Sequence, residues 1–96
     1  MFVKLSNSAY YDNDGKVMTT EISTRSGGKR LNAMYINTES INSIEESTRE
    51  VLRGECDIVK VVITITTCNK DFTVTMVGLE SFLQERVNEL IEKLTN

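Results

Sequence analysis

The sequence predicts an α+β domain: a small antiparallel sheet of about five strands covered by one long C-terminal helix. Three observations carry this. Val59, Val61, Ile63 and Ile65 alternate with Lys60, Val62, Thr64 and Thr66. After Cys68-Asn69-Lys70-Asp71, the return run sets Phe72, Val74 and Met76 against Thr73 and Thr75, which is the period of a half-buried hairpin. Beyond it, Leu79, Phe82, Leu83, Val87, Leu90, Ile91 and Leu94 recur at spacings of three and four, the stripe of an amphipathic helix.

Each element has its own warrant. Residues 1–6 read as a short strand, with Phe2 and Val3 in a small apolar patch. Residues 7–15 are polar apart from Ala9, Tyr10 and Tyr11, and Asp14-Gly15 is a turn signal. The Thr, Val and Ile of residues 16–24 suit a strand, and Ser26-Gly27-Gly28 supplies a second turn. Residues 31–36 form a further strand, apolar on both faces and so expected to be buried on both sides.

Residues 37–58 admit two readings. In one, Ser43 and Glu46 form a capping box, Arg49 and Arg53 sit at a helix C-terminus, and Gly54 stops a short helix near 44–53. In the other, 41–45 is a strand and 47–57 a charged loop.

With Asn69-Lys70 as a two-residue turn, Thr67 falls opposite Phe72, Ile65 opposite Val74 and Ile63 opposite Met76. In the helix that follows, Gly78 suits the N-cap and Val77 staples to Phe82, while Glu80 and Lys93 complement the macrodipole. Truncating Phe82 or Leu90 to Ala is expected to cost roughly 2–5 kcal/mol.

Composition narrows the function classes. The chain has 96 residues, 40% of them hydrophobic, enough for one domain with a modest core. It shows no signal-peptide pattern and no apolar run of membrane-spanning length, so a soluble, cytoplasmic protein without a membrane partner is expected. The net charge is −3, and its distribution is uneven. Residues 1–36 hold five basic and three acidic side chains, whereas 37–96 hold six and eleven. This balance argues against nucleic acid as the main ligand and leaves room for an acidic surface that docks on a basic partner.

Catalytic chemistry finds no foothold. There is no His to serve as a general base or complete a metal set with Cys56 and Cys68. The run Glu45, Glu46, Glu50, Glu55 and Asp57 has no spacing that forces two carboxylates together. The expectation is a protein that is not an enzyme and carries no cofactor or metal.

From residue 37, the order Asn37-Thr38-Glu39-Ser40-Ile41-Asn42-Ser43-Ile44-Glu45 resembles the short FlbD-like proteins of bacterial flagellar loci. In that pattern an Asn-x-Glu-x-Ile-x-x-Ile-Glu strand region precedes a hairpin, here 61–76, and a closing helix, here 79–94. Relative to the pattern, 47–58 is an insertion, 7–28 has no counterpart, and Lys70 stands where the turn Gly is usual. The resemblance implies a shared local fold and an adaptor role linked to motility. It transfers no functional residue.

Two surfaces stand out as binding candidates. Arg25, Gly27, Gly28, Lys29 and Arg30 combine a Gly pair, whose N–H groups can turn toward an anion, with flanking cations. They suit the phosphates of a nucleotide-type ligand held between subunits, and equally a hairpin turn with solvated charges. The second is the outer face of the hairpin, Val62, Thr64, Thr66, Thr73 and Thr75, β-branched and uncharged. One helix covers only one face of a sheet, so this face is expected to meet residues 16–36 or a second copy. Helix acids including Glu85 and Glu89 could face a protein partner. The leading expectation is a homo-oligomeric binding or adaptor protein. The alternative is a phage- or mobile-element-encoded inhibitor of bacterial defence, either mimicking nucleic acid or sequestering a nucleotide signal.

Overall fold

The computed structural model describes residues 1–11, 17–25, 28–54 and 57–95. The strands, in chain order, are β1 (Phe2–Ser6), β2 (Ser8–Tyr11), β3 (Val17–Thr24), β4 (Arg30–Leu31), β5 (Ala33–Asn37), β6 (Ile41–Arg53), β7 (Ile58–Thr67) and β8 (Asp71–Leu79). A 3-10 turn, Thr38–Ser40, joins β5 to β6, and helix α1 (Glu80–Thr95) follows β8 directly. The fold class is α+β, with more strands than the sequence suggests. The main sheet runs β2-β3-β8-β7-β6 with β4 also on β3, while β1 and β5 form a separate two-stranded ribbon. Every pairing among the described residues is antiparallel.

The central hairpin forms with a corrected register. Ile65 lies opposite Phe72, Ile63 opposite Val74 and Val61 opposite Met76. The two loop residues are Cys68-Asn69, not Asn69-Lys70. The N–H of Thr67 donates to the Lys70 carbonyl at 3.1 Å. The Thr67 hydroxyl donates to the same oxygen at 2.6 Å and accepts from the N–H of Lys70 at 3.0 Å. This threonine-centred turn satisfies the loop without a glycine. Each β7 residue therefore meets a partner two places earlier on β8 than the expected turn would give. A slide of two preserves every side chain's face, so Ile63 and Phe72 remain on the same buried side.

That side holds the core. Ile22, Val74 and Ile63 form one row across β3, β8 and β7, with Val59, Val61, Ile65, Phe72 and Met76 around it. Burying each large side chain contributes about 1.5–3 kcal/mol. Gly78 ends the buried run on β8, where an added Cβ would come within 3.2 Å of Met18 Cγ on β3.

The outer edge of β3 is divided. β2 pairs with its first half, Ser8 opposite Thr20, and β4 with its second, Leu31 opposite Ile22. Between them the Asn7 side chain stands in for a strand: its Oδ1 accepts the Ile22 N–H at 2.8 Å. The Asn7 N–H donates to the Asn32 carbonyl at 3.0 Å. Chain 1–11 bends at Asn7 and chain 30–37 at Asn32, so the β1–β5 ribbon leaves the sheet at this fork. The strand expected over 31–36 is thus broken in two. The ribbon buries Leu5 and Ile36 against the core and turns Phe2 (70% exposed) and Tyr35 (68%) outward. Burial on one side corrects the expectation of burial on both. The Asp14-Gly15 turn, the Ser26-Gly27 pair and Cys56 lie outside the described residues.

Residues 44–53 are a strand, which corrects the short-helix reading. The rival reading placed the strand correctly at 41–45, but the strand runs on through 47–53, which that reading gave to a loop over 47–57. Ile44, Val51 and Leu52 offer a helix little to bury, whereas β7 offers ten residues of ladder to pair with. β6 pairs from Ile41 opposite Thr67 to Arg53 opposite Ile58, with three register shifts. The shift between Glu46 and Thr48 brings Glu46 and Arg49 to the same face, opposite Ile63 and Val61. Arg49 Nε then donates to Glu46 Oε1 at 2.8 Å, and its Nη2 to Gln84 Oε1 of α1 at 2.7 Å.

The helix lies on the same side of the sheet as the ribbon. Leu83, Val87 and Leu94 are buried, with Leu90 and Ile91 packed beside them. Two expectations fail at its start. Gly78 belongs to β8, so it does not cap α1, and the Glu80 N–H instead donates to the Asp57 carbonyl at 3.0 Å. Phe82 is 56% exposed and no staple to Val77, because Leu83 takes the inward position one residue later. Among the described residues, no helix is long and apolar enough to cross a membrane.

Candidate interaction surfaces

The side of the sheet opposite α1 has no element of the described chain laid over it. β7 presents Val62, Thr64 and Thr66 there, and β8 presents Thr73 and Thr75; the central cross-strand pairs are Val62 with Thr75 and Thr64 with Thr73. These positions follow from the hairpin period, since their neighbours fill the core. Thr64 is 7% exposed because its hydroxyl donates to Ser47 Oγ at 3.0 Å, and Ser47 donates to the Val62 carbonyl at 3.2 Å. Ser47 reaches this position through the β6 register shift, a contact no local pattern announces. On the other flank, Thr73 Oγ1 and Ser23 Oγ share a hydrogen bond of 2.7 Å. The hydroxyls of Thr64 and Thr73 are thus satisfied by Ser47 and Ser23.

Its rims carry opposite character. On the β6 side, Glu45 and Glu50 stand opposite Thr64 and Lys60. On the β3–β4 side are Arg25, Lys29 and Arg30. Arg25 lies 3.7 Å from Asp71, and Arg30 lies 3.6 Å from Glu21. The proposed anion cluster is therefore partly engaged with carboxylates of the sheet. Gly28 does take left-handed backbone, φ 61°, and Gly27 lies outside the described residues. The Lys29 N–H donates to Thr24 Oγ1 at 3.2 Å and the Lys29 carbonyl accepts from the Thr24 N–H at 2.9 Å, so this turn closes on itself.

Glu85 and Glu89 lie on α1, on the far side of the sheet from the threonine face, and do not join it. Glu89 Oε2 accepts from Arg86 Nη1 at 3.3 Å. Cys68 is exposed in the β7–β8 loop. Among the described residues, no group of three or more His, Cys, Asp or Glu is placed to hold a metal ion. Sequence reasoning missed the aromatic outer face of the ribbon, although Phe2, Lys4 and Ser6 do alternate with Val3 and Leu5. There Lys4 Nζ sits 5.9 Å from the Tyr35 ring centroid. Comparison adds no relative: the chain matches no family model, no curated protein and no solved structure.

Proposed function

We propose that the chain is a non-catalytic binding protein that works as a pair of copies joined through their open sheet faces. The observation that carries this is the uncharged stripe of half-buried Val62, Thr66, Thr73 and Thr75 around the buried Thr64, over which no other element of the described chain is laid. Such a face gains by association, because its methyl groups leave water and the hydroxyls of Thr64 and Thr73 already have partners. The rims specify how the copies meet. A two-fold axis parallel to the strands lays the Glu45–Glu50 side of one copy over the Arg25–Arg30 side of the other, so unlike charges face. At a spacing of ~4.8 Å, the five-strand path of the sheet with its charged rims presents roughly 600 Å², below the ~800 Å² per partner of a standard interface.

Light scattering across a dilution series tests the reading. A dimer mass that falls on dilution is expected, as is a monomer for Val62→Lys or Thr73→Lys with unchanged circular dichroism. A wild-type monomer at ~200 μM, where even weak pairs populate by mass action, would remove it.

A further inference from the structure

We infer that the groove between β1 and α1 is a docking site for an extended acidic peptide segment, taken up as an added strand on β1. It lies on the other side of the sheet from the proposed self-association, so the two readings stand or fall separately.

The groove encloses about 430 Å³. Behind it lies the buried core at Ile22, Val74 and Met76, and the half-buried Met18 of β3 and Leu90 of α1 form its apolar lining. One wall is β1 at Lys4, Leu5 and Ser6; the other is the helical column Arg86, Glu89 and Lys93. Phe82 lies in that same column one turn earlier, and its exposure places an aromatic ring along the line of the wall.

The main chain of β1 is what selects a peptide. β1 pairs with β5 alone. Its ladder is regular, from Phe2 opposite Asn37 to Ser6 opposite Ala33. The Met1 carbonyl accepts from Thr38, and the Asn7 N–H donates to Asn32. Antiparallel alternation therefore directs Val3 and Leu5 toward β5, and the N–H and C=O of Phe2, Lys4 and Ser6 away from it. Lys4 and Ser6 line the groove, so a free strand edge runs along it. The long edge strand β6 differs: three register shifts and a run of charges guard it against pairing. The β1 edge has no such interruption, and a helix stands across from it, the arrangement in which extended peptides add to a sheet.

Charge selects an acidic occupant. Arg86 and Lys93 line the groove against the single carboxylate Glu89, which Arg86 already engages at 3.3 Å, and Lys4 lines its rim with its ammonium over the Tyr35 ring. This is a basic strip on a chain of net charge −3. An added strand that alternates apolar and acidic residues would set the first against Met18 and Leu90 and the second beside the cations. A compact anion would neutralise the cations but leave the β1 edge unpaired.

The test is selection of heptapeptides from a random library on the immobilised full chain, followed by synthesis of the enriched sequence. Enrichment of alternating acidic and apolar residues is expected, with slowed hydrogen exchange at the Lys4 and Ser6 amides on binding. Ser6→Pro removes one groove-facing donor and leaves the β1–β5 bonds intact. It should weaken the synthetic peptide at least about tenfold without lowering the melting temperature, as should Arg86→Glu with Lys93→Glu. No enrichment, selected peptides without acids, equal binding to Ser6→Pro, or protection confined to other strands would each overturn the inference. So would decanoate protecting the same amides where no peptide does, since that would make the groove a small-molecule site. Should Ser6→Pro prove unstable, exchange protection in the wild-type chain decides alone.

Discussion

Asn7 and Phe82 show how much one residue's placement decides. Asn7 accepts the Ile22 N–H at the junction between β2 and β4, while its own Nδ2 is buried without a partner among the described residues. Asn7→Ala leaves a part-buried amide unsatisfied and is expected to cost about 1–3 kcal/mol in urea unfolding. A loss under ~0.5 kcal/mol would mean that water replaces the side chain freely. Phe82 and Leu83 make a sharper pair. Leu83 is fully buried, so Leu83→Ala should cost roughly 2–5 kcal/mol. Phe82 is mostly solvated, and Phe82→Ala should cost less than about 1 kcal/mol. The same denaturation series measures both, and equal losses would place the helix in the wrong rotation. The helical stripe was legible from spacing. Which of two adjacent apolar residues points inward was not, because 3.6 residues per turn lets a stripe this wide rotate by one position without changing its pattern.

At the scale of elements, Gly78 of β8 lies close against Met18 of β3. Gly78→Val puts a branched side chain into that approach and should destabilise by about 1–3 kcal/mol through overpacking. Hydrogen exchange would show the loss concentrated in β3 if the cause is local; a uniform loss would point to a general effect on the sheet. β6 carries the contrasting lesson. Ser43, Glu46, Arg49 and Gly54 each favour a helix locally, yet they sit in or beside a strand. The edge of β7 needs pairing along ten residues, and that demand outweighs a capping box. The residues that looked like helix caps take other roles, Glu46 and Arg49 as a cross-bulge ion pair tied to Gln84.

For the whole molecule, the described elements cover the sheet on one side only. Association through the open face predicts a melting temperature that falls on tenfold dilution and stops doing so in Val62→Lys, a readout differential scanning fluorimetry supplies. A concentration-independent transition in the wild type would count against the pair. The candidate surface was legible to the same extent as the hairpin, since a period-two pattern assigns both faces at once. The cations near residue 28 were legible only as composition. Their carboxylate partners, Asp71 and Glu21, lie across strand pairings that adjacency does not reveal.

By itself the sequence determined the α+β class, the β7–β8 hairpin with its two faces, and the amphipathic helix, because these rest on side-chain periods set within a few residues. Only the tertiary structure decided that 41–53 is a strand, that the N-terminal ribbon forks at Asn7 and Asn32, and that a free β1 edge faces α1. Each of those depends on which distant backbone supplies a hydrogen-bond partner, and chain-local preferences of about 1 kcal/mol or less yield to that demand.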